Sequence, residues 1–124
     1  MDLKQLPYSP LRKSAISGLV FVSGQVGFRD GKLVHGGFGP QMIQAIDNLK
    51  KVLATEKITL ESVLKVTAFL TRMEDFAEFN RIYSEAFGPK YPNPSNRFPA
   101  RSTVIASPPI HGAMFEIEAI AERW

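Results

Sequence analysis

Arg101, Glu116 and Glu118 are the residues of this chain whose types and settings could do chemistry, and each has an ordinary alternative. Arg101 lies in Pro99-Ala100-Arg101-Ser102-Thr103-Val104, after a proline-rich segment and at the start of a β-branched run. A guanidinium there is either a solvated surface charge, the common state of arginine, or a planar fork that clamps a carboxylate through two parallel N–H donors. Glu116 and Glu118 alternate with apolar residues in Phe115-Glu116-Ile117-Glu118-Ala119. On a strand, both therefore project from the face opposite Phe115 and Ile117. On a solvated face the pair is unremarkable; on a covered one, two adjacent carboxylates must be paired, hydrogen-bonded or at work.

Most other reagents are excluded. The chain has no cysteine, which removes thiol nucleophiles, iron–sulfur clusters, cysteine-rich zinc sites and disulfide scaffolds together. His35 and His111 sit beside glycines with no carboxylate or second histidine at ligand spacing, so neither a metal site nor a serine triad is expected. There is no Gly-x-x-x-x-Gly-Lys, and Gly24-Gln25-Val26-Gly27 lacks the spacing of a dinucleotide fingerprint; those glycines are expected to serve a bulge or turn. What remains is arginine, carboxylates, tyrosine and backbone dipoles.

A chain of 124 residues predicts one domain over 1–124, large enough to need no metal or disulfide for stability. Its 44% apolar and 22% charged content is that of a globular protein, and no apolar run approaches the ~20 residues of a membrane helix. The first residues, Met1 to Pro7, lack the basic-then-apolar order of a signal peptide, so the expected location is the cytoplasm. The net charge is +3, but the lysines and arginines are scattered, adjacent only as the pairs Arg12-Lys13 and Lys50-Lys51, which reads as a mixed-charge surface rather than a nucleic-acid footprint.

The elements that must position these residues follow from period and punctuation. Ser14-Ala15-Ile16 and Leu19-Val20-Phe21-Val22 read as strands about a Ser17-Gly18 turn, and Asp30-Gly31 reads as a hairpin turn into Lys32-Leu33-Val34. From Pro40 to Glu56 the period is helical, with Ile43, Ile46, Leu49 and Leu53 on one stripe. Val63 to Leu70 is a buried strand, and Asp75 through Phe87 a second helix with Phe76, Phe79, Tyr83 and Phe87 as a core stripe. Residues 88–100 form an irregular proline-rich loop, and Arg101–Ala106 and Met114–Ala121 are the last strands. This order predicts an α+β sandwich with both helices on one face of a mixed sheet. The opposite face then lacks a cover, and self-association is the simplest one.

These residues resemble the RidA (YjgF) family, collinearly across nearly the whole chain. Pro7-Tyr8-Ser9 and Ser23-Gly24-Gln25-Val26-Gly27 are similar to its N-terminal elements, Gln41 and Asn48-Leu49 to its first helix, and Lys65-Val66-Thr67 to its central strand. Asn80, Tyr83 and Phe87 fit its second helix, Pro99 to Val104 its signature loop and strand, and Glu116 to Ala121 its last strand. The resemblance implies a chorismate-mutase-like fold, a homotrimer with sites between subunits, and cofactor-free hydrolysis of 2-imino acids such as 2-aminoacrylate/2-iminopropanoate and 2-iminobutanoate to 2-oxo acids and ammonia. It further implies that Arg101 holds the substrate carboxylate, that Glu116 positions and polarises water, that Tyr8 lines the pocket and that the chain at Arg101 and Thr103 adds polar contacts. Ser23, Gly24, Asn80 and Phe87 would shape the cleft. Thr103 occupies a position where cysteine is also common, so no thiol modification applies here.

Two other functions fit the same residues. A carboxylate- or 2-oxo-acid-binding regulatory module keeps the Arg101 clamp without hydrolysis. A ribonuclease or translation inhibitor is disfavoured by scattered basic residues and by the lack of a histidine or lysine acid/base pair beside Arg101.

Overall fold

The alternation from Phe115 to Ala121 sets up the central strand of the fold: one edge of the repeat is wholly apolar and the other carries both glutamates. The computed structural model describes residues 6–88 and 98–123. Its strands and helices run β1 (Leu11–Lys13), β2 (Leu19–Gln25), β3 (Phe28–Arg29), β4 (Lys32–Leu33), α1 (Phe38–Ala54), β5 (Val63–Leu70), α2 (Phe76–Phe87), β6 (Ala100–Ile105) and β7 (Phe115–Glu122). A five-stranded sheet has the order β1-β2-β7-β5-β6, and β3 pairs only with β4. All neighbours are antiparallel except β5 and β6, whose parallel pairing requires the crossover that α2 supplies. The expected mixed sheet with both helices on one face is what forms.

The core lies between that face and the helices. Val20, Val22, Val66, Ala68, Leu70, Phe115, Ile117 and Ala121 point into it from the strands, and Met42, Leu49 and Leu53 of α1 and Phe79 of α2 meet them with no measurable exposure for the four helix residues. Each such large side chain contributes roughly 1.5–3 kcal/mol of hydrophobic stabilisation. The other face carries Phe21, Lys65, Thr67, Phe69, Ser102, Val104, Glu116, Glu118 and Ile120, as the ladder register and alternation dictate. No element among the described residues covers it, and Phe21 and Val104 remain exposed there.

β5 has the expected bounds, whereas α2 begins one residue later than expected and buries Phe79, Ile82, Tyr83 and Phe87, leaving Phe76 of the expected core stripe exposed. At Asp30-Gly31 both residues have positive φ (54° and 79°), the geometry of a tight hairpin turn. Three expectations need correction. The first strand is Leu11–Lys13, not Ser14–Ile16: Ser14 Oγ accepts from the N–H groups of Ile16 and Ser17, folding residues 14–18 into the connection and leaving Ile16 almost fully exposed. α1 starts at Phe38 and ends at Ala54, with Gly37 (φ 84°) as its N-cap and Pro40 in the first turn, where a missing N–H costs nothing. Its buried stripe runs through Phe38, Gln41, Met42, Ala45, Ile46, Leu49 and Leu53, which rotates Ile43 out to 58% exposure. Most of the proline-rich segment, residues 89–97, lies outside the described residues.

Candidate active site

Arg101 is the second residue of the edge strand β6 and stands opposite Val66, a core residue, so its side chain leaves the sheet on the helix side. There it reaches α2. The guanidinium carbon lies 4.8 Å from the Phe79 ring centroid and 4.9 Å from that of Tyr83. Tyr83 in turn stacks on Phe87 (4.5 Å between centroids) and on Phe98 (6.2 Å). Tyr83, Ser84, Phe98, Pro99 and Arg101 line a cleft of about 270 Å³.

The cleft carries the positive charge of Arg101, and among the described residues its polar groups are uncommitted. Among the described residues no carboxylate pairs with Arg101, whereas Arg72 is held by Asp75 through two 2.8 Å bonds and Arg81 by Glu78 and Glu85. The Tyr83 hydroxyl and Thr103 Oγ1 are buried without a hydrogen-bond partner among the described residues. Burial pushes the Tyr83 phenol up to about 12, the nearby Arg101 charge opposing this more weakly, so the phenol stays protonated at neutral pH. It can donate a hydrogen bond but is no base. Thr103 follows Arg101 by two on the same side of β6, Phe87 forms the far end of the aromatic stack, and half-buried Asn80 follows Phe79 on α2.

Glu116 lies on the other face of the sheet, opposite Phe69 of β5. Its carboxylate folds over Gly24, where an added Cβ would come within 2.8 Å of both Cδ and Oε2. Gly24 belongs to a bulge: the β2–β7 register slips between Val22 and Gln25, as the glycine spacing led us to expect. Beside it, the Ser23 N–H donates to the Pro10 carbonyl (3.0 Å) and Ser23 Oγ to the Ser9 carbonyl (2.5 Å), tying the exposed Tyr8 segment to the bulge. Burial raises the Glu116 carboxyl above its ordinary value, and the Glu118 charge raises it further. A carboxylate so placed is a better base than one in water.

Two amides of α1 brace this half. Gln41 Nε2 donates to the Gly112 carbonyl (3.1 Å) and Gln41 Oε1 accepts from the Met114 N–H (2.8 Å), fixing the entry to β7. Asn48 Nδ2 donates to the carbonyls of Val26 and Phe28, fixing the exit from β2.

Arg101 and Glu116 do not meet within one chain. β5 separates their strands, so their backbones lie about 10 Å apart across the sheet, and the offset from Val66 to Phe69 adds about 10 Å along it. Their side chains also leave opposite faces. Arg101 and Thr103 therefore lie on the helix side of the sheet, where Phe87 joins the aromatic stack and Asn80 sits on α2, whereas Ser23, Gly24, Glu116 and the Tyr8 segment gather about the β2 bulge. The sequence reading placed Phe79 and Tyr83 in the core but missed that they support Arg101. The signal was available: a helix crossing between parallel neighbours must pass over the edge strand, and its aromatic stripe then lies under that strand's first residues.

A family model described as Endoribonuclease L-PSP matches residues 4–123. The chain belongs to this family, the RidA (YjgF) family. Among its RidA-family relatives, the protein mmf2 of Schizosaccharomyces pombe, designated mitochondrial, is 41% identical over 93% of this chain and 86% of its own length. A RutC family protein of Pyrococcus horikoshii is 35% identical over 94% and 87%. The crystal structure of yeast Mmf1 superposes with a TM-score of 0.82 at 33% identity, covering 95% of this chain and 88% of that one. That of RidA from a Psychrobacter species gives 0.81 at 29% identity, covering 96% and 90%. The fission-yeast designation means that family membership alone does not place this chain in the cytoplasm. Among the described residues no helix is long and apolar enough to cross a membrane, and no cluster of three or more His, Cys, Asp or Glu could hold a metal ion.

Proposed function

We propose that this chain is a hydrolytic deaminase of 2-imino acids, acting without cofactor at sites between the subunits of a homotrimer, where Arg101 of one copy meets Glu116 of another. The observation that carries this reading is the pair of half-sites: on one face a guanidinium that no carboxylate pairs with among the described residues, and on the other a raised carboxylate. Neither half makes a hydrolase alone. Brought together between copies, they supply what an α-imino carboxylate needs.

In the proposed reaction the substrate carboxylate docks on the Arg101 fork, which sets the imine carbon at a fixed distance from the partner's Glu116. The protonated imine is already electrophilic. Glu116 takes a proton from water as the oxygen bonds to the imine carbon, giving a neutral carbinolamine, and returns that proton to nitrogen. The C–N bond then breaks, the hydroxyl proton leaves with ammonia as ammonium, and a 2-oxo acid remains. Tyr8 and Thr103 line the cleft; Ser23, Gly24, Asn80 and Phe87 shape it.

The test is ammonia release from 2-aminoacrylate generated in place by a pyridoxal-phosphate-dependent dehydratase. The protein is expected to accelerate it, and Arg101→Ala to lower kcat/KM by about a hundredfold or more, since an unanchored substrate loses its attack geometry. Equal rates with and without the protein would sink the proposal. Retained 2-oxo acid binding with no turnover in the parent chain would instead select the regulatory-module reading. The family description's endoribonuclease activity is tested by RNA cleavage that persists after purification from contaminating nucleases.

A further inference from the structure

We infer that Phe79 and Tyr83 are positioning residues of the Arg101 clamp: the two rings fix the plane of the guanidinium and leave its N–H edge open to a carboxylate. The inference rests on the deaminase reading for its substrate, but its physical content is the stack itself.

Arginine side chains lose much rotamer freedom when they bind, and that loss weakens any clamp that must first be ordered. Two ring centroids at 4.8 and 4.9 Å, inside the ~6 Å range of cation–π attraction, supply the ordering before the ligand arrives. The attraction acts through the ring faces, so it uses none of the N–H donors that a carboxylate would take. An ion pair with a neighbouring glutamate would also hold the side chain, as Glu78 and Glu85 hold Arg81, but it would occupy the fork. A stack is the restraint compatible with binding an anion.

The platform is itself buried and packed. Phe79 has no measurable exposure and contacts Phe115 at 6.0 Å between centroids; Tyr83 is 3% exposed and packs between Phe87 and Phe98. Phe98 lies three residues before Arg101, so the chain that delivers the arginine is anchored to the same stack. The ring of Tyr83 does this work rather than its hydroxyl, which has no partner among the described residues. Lysine at 101 would gain little from such a platform, being a compact charge without a plane to align.

Tyr83→Phe and Tyr83→Leu separate ring from hydroxyl. With 2-oxobutanoate as the calorimetric probe and the dehydratase-coupled assay for turnover, Tyr83→Leu is expected to raise both Kd and KM about tenfold while kcat changes little. Tyr83→Phe is expected to restore both. A merely structural tyrosine would lower Tm in Tyr83→Leu yet leave Kd and KM of the folded protein unchanged, and that outcome overturns the inference. A second readout leaves Tyr83 unchanged. In the wild-type NMR spectrum the Arg101 Nε–Hε resonance, assigned by its loss in Arg101→Lys, should be displaced upfield by the rings; a position among the solvent-exposed arginines overturns the inference as well. If the protein proves not to be a deaminase, the displaced resonance and the Tyr83-dependent binding of 2-oxobutanoate persist, so the two failures are distinguishable.

Discussion

Glu116 and Glu118 carry the same group two positions apart on β7, and only their cross-strand neighbours separate them. Glu116 faces Phe69 and the missing side chain of Gly24, which lets it fold down onto the bulge and lose water. Glu118 faces Thr67 and lines an open groove with Lys65 and Phe21. A base raised by burial must still be ionised to act, so the acid limb of kcat/KM is expected above the usual carboxylate range. Glu118 contributes to that rise as a like charge. Glu118→Gln should therefore move the acid limb to lower pH, because the anionic form of Glu116 then meets less repulsion; a pH–rate profile of the coupled assay reads it, and an unmoved or raised limb would contradict the assignment. The alternation that puts both glutamates on one face is legible from Phe115 to Ala119. Which of them is desolvated is not, because the deciding contact is with Gly24, on a strand distant in sequence.

At the scale of elements, two glycines of one segment do different work. A Cβ at Gly24 would meet the end of the Glu116 side chain, which can swing away, whereas a Cβ at Gly27 would stand 2.7 Å from the Gln41 carbonyl oxygen and 2.8 Å from its Cα, which cannot move without shifting α1. Gly24→Ala is thus expected to keep its fold and lose turnover by displacing Glu116, while Gly27→Ala should cost about 1–3 kcal/mol of stability through forced separation of helix and strand. Thermal unfolding and the coupled assay on both variants check the contrast, which fails if Gly27→Ala proves as stable as Gly24→Ala. Elements with a strong internal period were legible: Val63–Leu70 alternates from Lys65 onward, beyond a slip in register after Val63, and Phe76–Phe87 repeats its aromatics every three or four residues. Leu11–Lys13 was not, since a short edge strand with one apolar residue has no period to read, and the serine-rich turn beside it looked more strand-like than the strand. Ile43 keeps helical spacing with Ile46, Leu49 and Leu53, yet the helix turns it outward and buries Gln41 instead to brace the loop before β7.

For the whole molecule, the uncovered face and the divided site pose one question. A sheet face bearing exposed Phe21 and Val104 beside the glutamates is an unfinished layer, and a guanidinium on the helix side of the edge strand cannot reach a carboxylate on the other side of the same sheet. A cyclic assembly, in which each copy presents its β6 edge to the next copy's open face, resolves both at once. If the sites are so shared, defects in the two halves must complement. The Arg101→Ala and Glu116→Gln proteins should each be inactive when made alone. When the two chains are unfolded together in equal amounts and refolded, a site is intact only where the Glu116→Gln copy supplies arginine and the Arg101→Ala copy supplies glutamate, which random assembly gives at about a quarter of sites. Activity should therefore rise from background to about a quarter of wild type, with light scattering reporting a trimer throughout. Sites housed within one chain would give no recovery at any mixing ratio, because every chain in the mixture then lacks one of its two groups.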